Sequence, residues 1–302
     1  MAQPLLMRLR AQRPDARIDV LAPPWVAPVA RRMPEVAEVL EVDLRHGELQ
    51  LGDRWRLGRM LKERGYDEAY VLPNTMKSAL APSFARIPLR VGYLGESRVG
   101  LLNRIHKAGA AREPMPLHYA RLAAEPGLQP ELPLPVPRLN IQANDTPTRF
   151  GIAGPYTVFC PGAEYGPAKR WPYFSELSTQ LNLQIVILGS SADKPAAEKI
   201  QGKNLVGKTT LEEAIDLIAG AAAVVSNDSG LMHVAAAAGR PLVALFGSSS
   251  PEHTPPQSPA ARALWLKIEC SPCFERVCPL GHFKCMNDLP VERVLQELKS
   301  LP

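Results

Sequence analysis

Lys169 and Arg170 sit in Pro161-Gly-Ala-Glu-Tyr-Gly-Pro-Ala-Lys-Arg-Trp-Pro172, where prolines and a tryptophan stiffen the chain around two cations. A cation held by a stiff loop suits the stabilisation of a departing phosphate better than a surface tail does. Three further stretches have similar potential: Gly189-Ser190-Ser191, Asn227-Asp228-Ser229-Gly230-Leu231-Met232-His233 and Gly247-Ser248-Ser249-Ser250-Pro251. Small residues let backbone N–H groups approach an anion, and a helix N-terminus adds partial positive charge. The four together point to one nucleotide-diphosphate site. Taken singly, Asp228-Ser229-Gly230 reads equally well as a helix N-cap, and a lone helical residue such as His233 more commonly packs than reacts.

Other patterns are weighed and set aside. Gly202-Lys203-Asn204-Leu205-Val206-Gly207-Lys208-Thr209 fits the P-loop pattern literally. A P-loop follows a buried strand and keeps its middle free to wrap phosphate. Here the preceding residues are polar and helix-like, and Asn204–Val206 reads as a strand, so the match is taken as accidental. No G-x-G-x-x-G follows a strand, which weakens a dehydrogenase reading. No Asp-x-Asp pair offers a bridge for a diphosphate-bound metal, so neutralisation falls to Lys169 and amide dipoles. Cys160 reads as a small buried hydrophobe. Cys270, Cys273, Cys278 and Cys285 form C-x2-C-x4-C-x6-C near His282, a possible structural zinc site although the spacing is no standard finger or ribbon.

The elements that must carry these loops follow from periodicity. In the second half the expected strands are 157–160, 184–188, 204–206, 223–226, 242–246 and 264–268, with helices over 174–181, 211–219 and 231–238. That alternation predicts a parallel sheet covered by helices, with ligands beyond the carboxyl ends of its strands. The first half repeats the habit more faintly, with strands at 18–21, 36–42 and 68–72. Seven prolines between Pro126 and Pro155 read as a linker. The expected class is α/β: two Rossmann-like domains facing across a cleft, residues 1–140 and 141–302. The chain opens on a helical pattern (Leu5, Leu6, Leu9) where a doubly wound domain normally opens on a strand.

Composition narrows the class. In 302 residues, 46% hydrophobic and 22% charged, there is material for a real core. The longest apolar stretch, 217–225, is far short of a membrane span. No basic–apolar–small leader opens the sequence, so the expected compartment is the cytoplasm. Residues 1–140 hold 21 Lys/Arg against 15 Asp/Glu, whereas 141–302 hold 14 against 15. The basic half should meet something acidic: a phosphorylated substrate, an anionic membrane or, least of all without interleaved aromatics or a Lys/Arg block, nucleic acid.

At these loops the sequence resembles the ADP-heptose:lipopolysaccharide heptosyltransferases, nearest their type II branch. The resemblance rests on Cys160–Pro172, Asn227–Ala237 and Leu245–Pro251, and on Tyr66-Asp67, Tyr70–Asn74, Lys77–Leu80, Gly95-Glu96 and Gly100–Asn103 in the first half. It implies a B-type glycosyltransferase architecture, with the donor in the C-terminal domain and the acceptor on the N-terminal one. The implied reaction moves L-glycero-D-manno-heptose from ADP-heptose to the first heptose of the lipopolysaccharide inner core, with inversion and no required cofactor. By position, Lys169 would neutralise the diphosphate, Asp228, Ser229, Gly230 and His233 would line the donor site, and Gly207, Thr210 and Leu211 would lie near the adenosine. Lys77, Arg90 and Arg98 are the acceptor-side candidates. The acceptor, Kdo and heptose on lipid A, implies peripheral attachment to the inner membrane. Members of this family open on a strand and a loop whose Asp is the general base; this sequence starts at what resembles the following helix. No residue here is therefore assigned as base, Asp15 and Asp19 being poor substitutes, and the expectation is ADP binding with weak or no turnover. The alternatives are a related glycosyltransferase with another sugar or heptose acceptor, a non-catalytic sugar-nucleotide-binding form, and a P-loop phosphotransferase.

Overall fold

A computed structural model describes every residue except 46, 110, 111 and 302. The chain forms two compact units, one of Ala2–Pro24 and Ala37–Pro135, the other of Met1, Trp25–Val36 and Val136–Pro302. Both are α/β, and every strand pair in them is parallel.

The N-terminal unit opens on helix α1 (Gln3–Gln12), which turns Leu5 and Leu9 inward. Strand β1 (Asp19–Ala22) follows. The chain then contributes α2 (Ala27–Arg31) to the other unit before returning as β2 (Glu38–Glu41). Helix α3 (Leu51–Glu63) and strands β3 (Glu68–Val71), β4 (Leu89–Tyr93) and β5 (Arg104–His106) follow, with short helical turns between and after them. These strands fall into two sheets, β1–β2 and β3–β4–β5. Among the described residues no strand joins the two sheets.

Sequence reading missed α3, β4 and β5. Helix α3 carries six charged residues among its 13 and buries little besides Arg54, Leu57, Gly58 and Leu61. Strand β4 interrupts its apolar pattern with Arg90 and Gly92, and β5 is three residues long.

The C-terminal unit is built on one six-stranded sheet. Its strands are β6 (Tyr156–Cys160), β7 (Gln184–Ile187), β8 (Lys203–Asn204), β9 (Ala223–Asn227), β10 (Leu242–Phe246) and β11 (Ala261–Trp265). The order is β11-β10-β9-β6-β7-β8, so the winding direction reverses between β6 and β9. Strand β10 is apolar along its length and β6 nearly so, Thr157 apart, and both are buried at every position, as a sheet covered on both faces requires. Helices α4 (Phe174–Thr179), α5 (Leu211–Ala219), α6 (Gly230–Ala237) and α7 (Val291–Ser300) pack on it. Thr210 and Glu213 close a capping box that starts α5. Asp216 is buried on that helix but paired, with Arg32 Nη2 at 2.6 Å and the Thr146 hydroxyl at 2.9 Å. Strand β11 starts three residues before the expected one, and β8 stops before Leu205.

Gly92 in β4 has no room for a side chain. A Cβ there would stand 2.5 Å from Arg98 Nη2, 2.9 Å from Leu102 Cδ1 and 3.1 Å from the Val71 carbonyl oxygen. Arg98 and Leu102 are both buried, so neither can swing away. Gly92→Ala should cost about 1–3 kcal/mol, seen as a lower thermal midpoint by circular dichroism; an unchanged midpoint would contradict this packing.

Candidate functional site

Loops leaving adjacent parallel strands on either side of an order reversal diverge and leave a crevice at the carboxyl edge. Here those loops follow β6 and β9. The first carries Lys169 on a short 3-10 turn, Pro167–Lys169; the second carries Asp228 and leads into α6. Lys169 Nζ meets Asp228 Oδ2 at 2.5 Å, and both side chains are largely withdrawn from solvent. The Thr254 hydroxyl adds 3.3–3.4 Å contacts to the same carboxylate. Lys169 also stands 4.9 Å above the Tyr165 ring, with the Arg276 guanidinium 5.4 Å from that ring.

Asn227, fully buried at the end of β9, fixes the spacing of the two loops. Its Nδ2 donates to the Pro161 carbonyl at 2.7 Å, and its Oδ1 accepts from the Trp171 N–H at 3.1 Å. A second clamp is Asp193, which accepts from the N–H and hydroxyl of Ser190 at 2.9 and 2.8 Å. A Cβ on Gly162 would fall 2.2 Å from the Asp193 carboxyl carbon. Glycine at 162 therefore lets the loop after β6 close onto the loop after β7.

Two groups of donors are left for a ligand at this edge. Ser229, the N-cap of α6, is extended and makes no side-chain cap bond; its hydroxyl pairs with Ser226 instead, at 3.2 Å. The first N–H groups of α6 thus keep their partial positive charge unmasked. After β10, Ser248 and Ser249 are buried, and their hydroxyls have no partner. Buried hydroxyls normally have one. His233, one turn into α6, has its imidazole pushed down to about 4 by burial, with the Met1 ammonium and, less, Lys169 adding to the effect and Asp228 opposing it.

The expected donor residues fall into two places. Lys169, Asp228, Ser229, Gly230 and His233 cluster around the loops after β6 and β9. Gly207, Thr210 and Leu211 lie beyond β8, where the Gly207 N–H donates to the Gly189 carbonyl at 2.9 Å and Thr210 caps α5. Lys208 turns back on its own loop, Nζ donating to the Asn204 carbonyl at 3.0 Å, and β8 takes up Lys203 and Asn204 at the start of the P-loop-like stretch. That stretch has no free cradle for a phosphate. Asn227, Asp193 and Thr254 were not singled out from sequence. Only Asp193 left a local signal there, the S-x-x-D spacing of a capping box from Ser190.

In the N-terminal unit Lys77 is partly exposed, its Nζ donating to the Glu48 carbonyl at 3.2 Å. Arg90 is held by the Leu101 and Ile87 carbonyls at 2.7 and 2.5 Å. Arg98 is fully buried, with Nη1 on the Pro73 carbonyl at 2.6 Å and on Asn74 Oδ1 at 3.1 Å. Asp19 accepts from the Tyr66 hydroxyl at 2.6 Å and from Arg17 Nε at 3.0 Å, near the amino end of β1.

The four clustered cysteines are free thiols. With His282, Ala168 and Ser248 they line a cavity of about 40 Å³. Cys270 Sγ and His282 Nε2 stand 4.0 Å apart, while Cys278 Sγ accepts the Phe283 N–H at 3.4 Å. Among the described residues no three His, Cys, Asp or Glu side chains are gathered as a metal-ligand set. Zinc needs all its ligands within about 2.3 Å of one point, so the zinc expectation is not supported.

Two measurements probe this site. Lys169→Met strands a buried carboxylate and should cost about 3–5 kcal/mol of stability, most of it recovered in Lys169→Met/Asp228→Asn; equal losses in the single and double variants would refute the pairing. The folded state also resists protonation of His233, whose imidazole lies below its ordinary 6.5. That contribution is complete above about pH 6.5 and is lost as pH falls toward 4. Urea titrations across this window should show a slope that His233→Gln flattens; an unchanged slope would assign it to other groups.

Known proteins share this arrangement. Residues 54–284 match the family described as glycosyltransferase family 9 (heptosyltransferase). The chain is 43% identical to lipopolysaccharide heptosyltransferase 2 of Escherichia coli K12, the alignment covering 100% of this chain and 94% of that protein. It is also 43% identical to lipooligosaccharide heptosyltransferase 2 of Haemophilus influenzae, covering 100% and 95%. The solved structure of E. coli ADP-heptose lps heptosyltransferase II superposes with a TM-score of 0.86 at 41% identity, over 99% of this chain and 93% of that one. On the family match and on full-length identity well above 30%, the chain belongs to glycosyltransferase family 9, the heptosyltransferases.

Proposed function

We propose that this heptosyltransferase takes ADP-L-glycero-D-manno-heptose as donor and extends the first heptose of the lipopolysaccharide inner core. The observation that carries the reading is the meeting of Lys169 and Asp228 at the order reversal of the C-terminal sheet, beside the uncapped start of α6. An ammonium and a set of aligned N–H groups at one edge suit a diphosphate. In the reaction the acceptor hydroxyl attacks the anomeric carbon from the face opposite the diphosphate. The new C–O bond forms as the bond to the β-phosphate oxygen breaks, with inversion. Charge then accumulates on departing ADP, where Lys169 and the α6 amides stabilise it. The hydroxyl proton leaves to a base that none of the residues above is assigned to be.

Asp228 serves this scheme by holding Lys169 in place until the diphosphate arrives. Ser229, Gly230 and His233 would border the donor; Gly207, Thr210 and Leu211 would lie toward the adenosine. Lys77, on the loop after β3, is the acceptor-side cation, and Arg98 acts beneath it by holding Pro73 and Asn74. Residues 1–140 would receive the acceptor and 141–302 the donor, with peripheral attachment to an anionic membrane.

Calorimetry with ADP reads donor binding independently of the base. Binding of ADP but not of UDP or GDP is expected, with affinity at least tenfold weaker in Lys169→Ala. With donor and a heptose-terminated acceptor, any ADP release should depend on both and be unchanged by a chelator, because Lys169 and backbone amides carry the neutralisation. No ADP binding, or release that ignores the acceptor, would contradict the reading.

A further inference from the structure

We propose that the carboxyl-edge rim of the N-terminal unit is the surface that docks on an anionic phospholipid membrane. The inference deepens the reading above, under which the acceptor is lipid-anchored. Leu49, Leu51 and Trp55 lie at the start of α3, just beyond β2, and are 47%, 52% and 51% exposed; Leu94 and Val99, on the loop after β4, are 47% and 74% exposed. Hydrogen bonds join these loops through the one after β3. Arg54 Nη1 donates to the Lys77 carbonyl at 2.9 Å, and Lys77 Nζ donates to the Glu48 carbonyl at 3.2 Å. On the other side the Met76 N–H donates to Glu96 Oε2 at 3.2 Å, and Arg98 holds the Pro73 carbonyl. Five large apolar side chains therefore stand along one edge, on both sides of the acceptor-side cation Lys77.

Water is a poor solvent for such a concentration of apolar surface. Tryptophan favours the lipid–water boundary, where its ring and N–H find different surroundings. The Arg59 guanidinium lies 5.2 Å over the Trp55 ring, so a cation accompanies the indole to the surface. Lys62 follows one turn further on. Arg45 and Arg56 are balanced by Glu48 and Asp53, and Glu63 and Glu96 also belong to this region, so its local charge is modest. Over the whole N-terminal unit, Ala2–Pro24 and Ala37–Pro135, the excess of 18 Lys/Arg over 14 Asp/Glu supplies the longer-range attraction to anionic headgroups. Apolar side chains that insert beneath such a field fit a lipid surface better than an acidic protein.

The test is co-sedimentation with phosphatidylglycerol-containing vesicles, with phosphatidylcholine vesicles as control. The wild-type chain should bind the anionic vesicles in a salt-sensitive way. Trp55→Ser/Val99→Ser and Arg59→Glu/Lys62→Glu should each bind at least tenfold more weakly, with ADP affinity and thermal midpoint unchanged. Vesicle binding that neither pair weakens would overturn the proposal, as would a self-associated species that Trp55→Ser disperses. Vesicle binding needs no turnover, so failure of heptose transfer and failure of docking are separate results.

Discussion

The reversal of strand order between β6 and β9 is the constraint from which the proposed donor site follows. Parallel strands send their loops out at the same edge. Where the winding reverses, two such loops part and cannot fill the space between them. The Asn227 amide sets how far they part, because both its ends are bound to backbone of the β6 loop. Lys169 and Asp228 then meet in a direct ion pair largely withdrawn from solvent. Taking two charges from water to pair them is often no gain in stability. The pair makes sense as a preformed cation, held in place by a carboxylate that a diphosphate can replace as its partner.

The central strands of the second half were legible because they are buried on both faces and rich in Val, Ile, Leu and Phe, whereas the partly exposed edge strands β8 and β11 were displaced from their expected places. The loops were legible for a related reason, since glycine, serine and proline at fixed places after such runs have few other uses. Asn227, Asp193 and Thr254 were not, because a side chain whose role depends on a partner far along the chain looks like any polar loop residue. Asn227 reaches back 66 residues to Pro161 and 56 to Trp171. Thr254 gains its meaning only from Asp228.

The first half was harder to read, and charge is the reason. Arg98 reads as a surface cation by residue type alone, yet it is fully enclosed. The notch that admits it is Gly92, whose missing side chain carries no periodic signal. Arg90 likewise binds backbone, the Leu101 and Ile87 carbonyls of the segments that lead into β5 and β4. Helix α3 was invisible to an apolar-period search because it turns Trp55, Arg56, Arg59 and Lys62 outward. A search for amphipathic cores passes over a helix of that kind.

The most direct measurement is a crystal structure of the chain with ADP bound. The diphosphate should lie between the loops after β6 and β9, within hydrogen-bonding reach of Lys169 Nζ and the first N–H groups of α6, with the Lys169–Asp228 contact lengthened or exchanged. A diphosphate seated instead on the Lys208 loop, or an ADP that leaves Lys169 and Asp228 untouched, would contradict the account.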